Sequence, residues 1–162
     1  VLTAEREAEV EALLTRTAAW ARGQEGVVAL GLAGSWARGA ARMDSDVDLI
    51  VLTGDTSRYI EDEGWIAALG GREVLRTQRW GLWLTERRFS TGSGLEVEVD
   101  VTETAWAATN PVDPVTASVV GGGLRVLHDP HGQLRALVGA LLGTENGERR
   151  EDGGEHQASG RT

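Results

Sequence analysis

The 162-residue chain contains no cysteine and no lysine. Without cysteine there is no disulfide framework and no thiolate zinc site. Without lysine no ammonium group can act as phosphate clamp, Schiff base or general base, so its 16 arginines supply every fixed side-chain cation. Histidine is sparse: His128, His131 and His156 have no metal-ligand spacing and read as structural or solvated. No apolar run approaches the roughly 20 residues that span a bilayer. The N-terminus reads as a charged amphipathic segment rather than a signal peptide. Together these traits point to the cytoplasm. Positive charge is in deficit, with 16 basic against 25 acidic residues and a net charge of −9. That balance argues against stable binding to nucleic acid. It is compatible with a small anionic substrate carried with magnesium.

The length fits one domain with a core of its own. Residues 3–22 read as a helix, with Thr3 as cap, Glu5 and Glu7 at its positive end and Gly23 as stop. Val27–Ala33 and Val47–Leu52 are continuous apolar runs that predict central strands. Thr56–Leu69 predicts a helix with Ile60, Trp65, Ile66 and Leu69 inward, and Glu73–Thr77 a short strand. Trp80–Arg88 and Leu95–Val101 predict a hairpin around Ser90-Thr-Gly-Ser-Gly94. A break at Asn110–Pro114, a short helix to Val120, an edge strand at Arg125–His128 and a helix from Asp129 to about Leu142 complete the domain at residue 143. Residues 144–162 are polar and glycine-rich and read as a disordered tail.

Two features carry chemistry. Asp46 and Asp48 are two apart on a strand, so their side chains leave the same face about 7 Å apart and can share a cation. Burying two such charges is costly unless metal compensates. Magnesium prefers oxygen ligands and retains waters and phosphate oxygens, and two such ions can clamp an in-line phosphoryl displacement. A third carboxylate from a neighbouring strand would complete the site. Leu95, Val97, Val99 and Val101 alternate with Glu96, Glu98 and Asp100. Asp100 is the choice for the third ligand and for accepting the acceptor's proton, with Glu98 the alternative one pleat away. The second feature is Gly34-Ser35, directly after the first strand. Glycine permits close backbone approach, the following residues can open a helix whose amides face an anion, and the Ser35 hydroxyl can reach a phosphate oxygen. Arg38 can face the same phosphates or brace the acidic strand.

Gly34-Ser-Trp-Ala-Arg-Gly39 and Ser45-Asp-Val-Asp-Leu49, with ten residues between Ser35 and Asp46 and a later strand carrying Asp100, resemble the nucleotidyltransferases of the DNA polymerase beta type, in particular the small bacterial members. The resemblance implies an α+β nucleotidyltransferase fold over residues 1–143: a short, mixed, twisted sheet with helices on one face and the metal site on the other. It implies that Asp46 and Asp48 bind two magnesium ions, that Asp100 binds the catalytic one, and that Gly34 and Ser35 hold a nucleoside triphosphate, with ATP expected. The reaction would move a nucleoside monophosphate to an acceptor hydroxyl and release pyrophosphate.

The acceptor half is less legible. The first expectation is a small molecule such as an aminoglycoside-like compound, bound on a shallow surface or one completed by a second subunit of a homodimer. The second is a partner protein: a minimal antitoxin that adds AMP to a HEPN-type protein. The third is a nucleotide-binding module without turnover. Among the six tryptophans, Trp20 and Trp65 read as core and Trp36 could line the nucleotide site. Trp80 and Trp83, three apart on one expected strand, would face opposite sides, one of them exposed against a partner, base or sugar. Arg87-Arg88 and Arg149-Arg150 read as solvated faces, with Arg87 and Arg88 able to steer an anionic substrate.

Overall fold

The computed structural model describes residues 1–151, with side chains through residue 143. The first helix, α1, spans Ala4–Arg22, and the Thr3 side chain accepts a hydrogen bond from the Arg6 amide as its cap. Strands β1 (Val27–Ala33) and β2 (Val47–Thr53) follow the two apolar runs; β1 is apolar throughout because both of its faces are covered, and β2 departs from that only at Asp48 and its terminal Thr53. Between them lies a single helical turn, α2 (Gly34–Ala37). The expected helix over 56–69 is two short ones, α3 (Thr56–Glu61) and α4 (Gly64–Ala68). The break falls at Asp62, which leaves helical geometry and accepts from the Gly64 amide through its side chain. As a result Tyr59, not Ile60, takes the buried position.

Strand β3 (Gly71–Trp80) is twice as long as expected and ends at Trp80. The chain turns through Gly81, whose φ of +60° suits glycine, into β4 (Leu84–Thr91). Trp80 and Trp83 therefore do not share a strand. They flank a tight turn, and both are partly exposed. After the predicted glycine-serine turn comes β5 (Glu96–Thr102), then a 3-10 turn at Thr104–Ala107, α5 (Pro114–Gly121) and β6 (Leu124–His128). The last helix, α6 (Gln133–Glu151), begins later than expected and runs past Leu142. Asp129 precedes it and accepts from the Leu134 and Arg135 amides. The rest of the expected tail, 152–162, lies outside the described residues, as do the side chains of Arg149 and Arg150.

The six strands form one mixed sheet in the order β3-β4-β5-β2-β1-β6. The pair β2–β5 at its centre is parallel and every other pair antiparallel. On one face, α1, α3 and α4 cover Val47, Leu49, Val51, Val97, Val99 and Val101. There Trp20 stacks on Trp65 at 5.6 Å between ring centres, as expected of core aromatics. Trp36 is half-buried against the same core. On the other face, the 3-10 turn, α5 and α6 pack on Ala29, Ala33, Ile50 and Leu52. This second cover reaches only the β2-β1-β6 side. The acidic residues of β2 and β5 share the second face, where the cover stops.

Candidate active site

The site starts from the alternation of β5. Val97, Val99 and Val101 are all but fully buried on the helical face, which forces Glu98 and Asp100 onto the opposite face. In the parallel register Asp48 lies beside Glu98, and Ile50 beside Asp100. Asp46 precedes β2 and shares the side of Asp48. The antiparallel register then places Glu86 beside Asp100 and Arg88 beside Glu98. Three neighbouring strands thus bring Asp46, Asp48, Glu86, Glu98 and Asp100 together, with Arg88 among them.

This crowding shows in the carboxyl groups. Burial, and then the charge of Asp46, raises Asp48 from 3.8 to about 6. Burial, then the charge of Asp48, raises Asp100 to about 7. Glu98 rises to about 9 through burial, contact with Glu86 and the charge of Asp100. Glu86 moves the other way, to about 2, because Arg76 grips it with two hydrogen bonds of 2.6 and 2.8 Å. One buried oxygen, Asp100 Oδ1, has no hydrogen-bond partner.

Arg88 is the partner that sequence reasoning missed. Its Nη2 lies 2.9 Å from Asp46 Oδ2, 3.2 Å from Glu98 Oε1 and 3.6 Å from Glu86 Oε1, and its Nη1 lies 3.5 Å from Glu96 Oε2. It is the counter-charge of the cluster, not a solvated surface group. Arg87 is not solvated either. It points to the helical face, fully buried, and donates to the Tyr59 and Ile60 carbonyls. The signal was in the alternation: if residue 87 faces the helices, residues 86 and 88 must face the acids.

Gly34 stands directly after Ala33, which pairs with Asp48. Its φ is +70°, and a Cβ placed there would collide with the Asp48 carboxylate. Glycine is required twice over, by backbone geometry and by closeness to the acid. Ser35 follows in the single turn of α2 and is half-buried. Arg38 closes α2, its Nη1 3.5 Å from the Gly122 carbonyl and its backbone packed on Gly123. Among the described residues it forms no ion pair with the acids. Ser45 closes the turn that feeds β2, its hydroxyl accepting from the Arg42 amide at 2.8 Å.

Gly34→Ala is expected to cost roughly 1–2 kcal/mol of backbone strain and to displace Asp48. Urea denaturation and nucleotide titration of that variant check both effects.

Among the described residues no three His, Asp or Glu side chains form a ready-made metal cage. The donor set nevertheless suits magnesium. It is all carboxylate, it includes an unpartnered oxygen on Asp100, and magnesium is held by one or two carboxylates plus substrate phosphates and water rather than by a closed protein cage.

Among the described residues no helix is long and apolar enough to cross a membrane. Comparison with curated proteins found no match. Among solved structures, "Crystal structure of the toxin-antitoxin with AMP-PNP" is similar at 15% identity over 90% of each chain, with a TM-score of 0.39. The model of the family described as "Nucleotidyltransferase domain" matches residues 18–102. That span holds the Gly34-Ser35 turn and all five carboxylates gathered at β2, β4 and β5, Asp46 just before β2, and it covers more than half of the chain. The chain therefore belongs to the nucleotidyltransferase domain family.

Proposed function

We propose that this protein is a magnesium-dependent enzyme that moves a nucleoside monophosphate from a nucleoside triphosphate, ATP being the expected donor, to the hydroxyl of a small acceptor molecule. One observation carries the reading: Asp46, Asp48 and Asp100 share one sheet face, with Gly34 packed against Asp48 at the end of the row.

In this reading Asp46 and Asp48 hold the metal, with Asp100 as third ligand. Bound magnesium, two ions in full occupancy, would neutralise the phosphates and stabilise the attacking and leaving oxygens. The chain's own part is positional. The Gly34-Ser35 turn and the Ser35 hydroxyl receive the β- and γ-phosphates. Asp100, in its ionised form, accepts the proton of the acceptor hydroxyl as that oxygen bonds to the α-phosphorus. The bond from the α-phosphorus to the bridging oxygen breaks, and pyrophosphate leaves. Arg88 would have to release Asp46 for that carboxylate to hold a metal. Arg38 supports the site at one remove, bracing the Gly122-Gly123 loop against α2. A cytoplasmic location fits this chemistry, because triphosphates and magnesium are abundant there.

Calorimetric titration tests the donor half. Nucleoside triphosphate is expected to bind with magnesium and to bind at least about tenfold more weakly with EDTA. Binding that ignores magnesium, or no binding, would sink the reading.

A further inference from the structure

A groove of 430 Å³ opens between the β3–β4 turn and the start of α5. Trp80, Leu82, Trp83, Leu84, Trp106 and Val115 line it, with Asp113. Leu82 and Val115 are 75% and 69% exposed, an unusual concentration of apolar surface for one small region. The volume lies within the range that takes a small molecule.

Its position gives it a role. Leu84 pairs with Thr102, and Glu86 with Asp100, so the groove starts one pleat, about 7 Å, beyond Asp100 along the same sheet. Thr102 fixes the turn by donating to the Trp83 carbonyl at 2.6 Å. Gly34 and Ser35 lie at the other end of the carboxylate row, beside Asp48. An in-line displacement requires the attacking oxygen to approach opposite the leaving pyrophosphate. With the pyrophosphate at Gly34-Ser35, the open approach is from the Asp100 side, where the groove lies.

We propose that this tryptophan-walled groove is the acceptor subsite, and that it takes a small ring-bearing alcohol of neutral or positive charge; this rests on the nucleotidyltransferase reading above. The indoles offer flat faces for a sugar or aromatic ring and attract a cationic amine. The lining residues include a carboxylate, Asp113, and no basic side chain, so an acceptor rich in phosphate has no counter-charge there. The acceptor hydroxyl reaches Asp100 while the ring stays against the indoles.

The test incubates the full chain with magnesium and α-labelled ATP, together with either the small-molecule or the macromolecular fraction of a cell lysate. Val115→Arg, which crowds the groove and repels a cation, is compared with wild type, and Trp83→Ala provides a second variant. Label is expected in the small-molecule fraction, falling at least about tenfold in both variants, with nucleotide affinity by calorimetry unchanged. Label in protein or RNA instead, transfer undiminished in the variants, or nucleotide affinity that falls with them would each overturn the assignment. If wild type binds no nucleotide with magnesium, it is the underlying reading that has failed, not the placement of the acceptor.

Discussion

Asp48→Asn is expected to reduce nucleotidyl transfer by a factor on the order of 10³ or more, and to leave the metal-free protein folded and more stable. Asp46→Asn should act on transfer in the same way. Both effects have one origin. Asp48 is held at about 6 by burial and by the charge of Asp46, against 3.8 in its ordinary state. A carboxyl group raised in the folded state binds its proton more tightly there than in the unfolded chain. The Asp48 contribution to stability of the metal-free protein therefore falls as pH rises from about 4 through about 6, and stays low above that. Asp100 adds the same slope up to about 7. A neutral amide removes its share of the slope, so Asp48→Asn or Asp100→Asn should gain roughly 1–3 kcal/mol at pH 8 and little at pH 4. Urea denaturation at the two pH values, beside a transfer assay, reads both effects. A variant that lost activity and also unfolded more easily at pH 8 would show that Asp48 is structural.

Removing Arg88 should have the converse effect. Its guanidinium is shared among Asp46, Glu86, Glu96 and Glu98. Arg88→Leu leaves those acids without it, although Glu86 keeps Arg76. The metal-free variant is expected to lose about 1–3 kcal/mol at pH 8, below the range for fully buried pairs because Arg88 is 20% exposed. The loss should shrink at pH 5, where Asp48 and Asp100 carry protons. Arg88 also competes for Asp46, so its removal should tighten binding of a luminescent lanthanide by about tenfold. Unchanged lanthanide affinity would mean that the arginine and the metal do not share a site.

How much of this was legible beforehand differs by element. Val27–Ala33 stood out because a strand buried on both faces is apolar without a break, and Leu95–Val101 because one wet face imposes strict alternation. Gly34-Ser35 and the acids followed from local spacing. The misreadings involve non-local partners. Glu86-Arg87-Arg88 resembles a solvated charge run, and only its register against β5, together with the Tyr59 and Ile60 carbonyls of α3, makes Arg87 internal and Arg88 a bridge. Trp80 and Trp83 read as one strand because the β3–β4 turn is so short that Gly81 alone marks it. The helix over 56–69 divides at Asp62, where a side-chain contact to the Gly64 amide replaces helical bonding. Arg38 sits one turn beyond Ser35 as expected, and its contact with the Gly122 carbonyl, far off in sequence, had no local signal.

The most direct test of the account follows the fate of two labels. Wild-type protein is incubated with magnesium, acceptor extract and ATP labelled at either the α- or the γ-phosphate. The account predicts that the α-label joins the acceptor and that the γ-label appears in pyrophosphate, both lost with Asp48→Asn. A γ-label found in orthophosphate or on the acceptor, with the α-label left in ADP, would mean a different bond is broken and would contradict it.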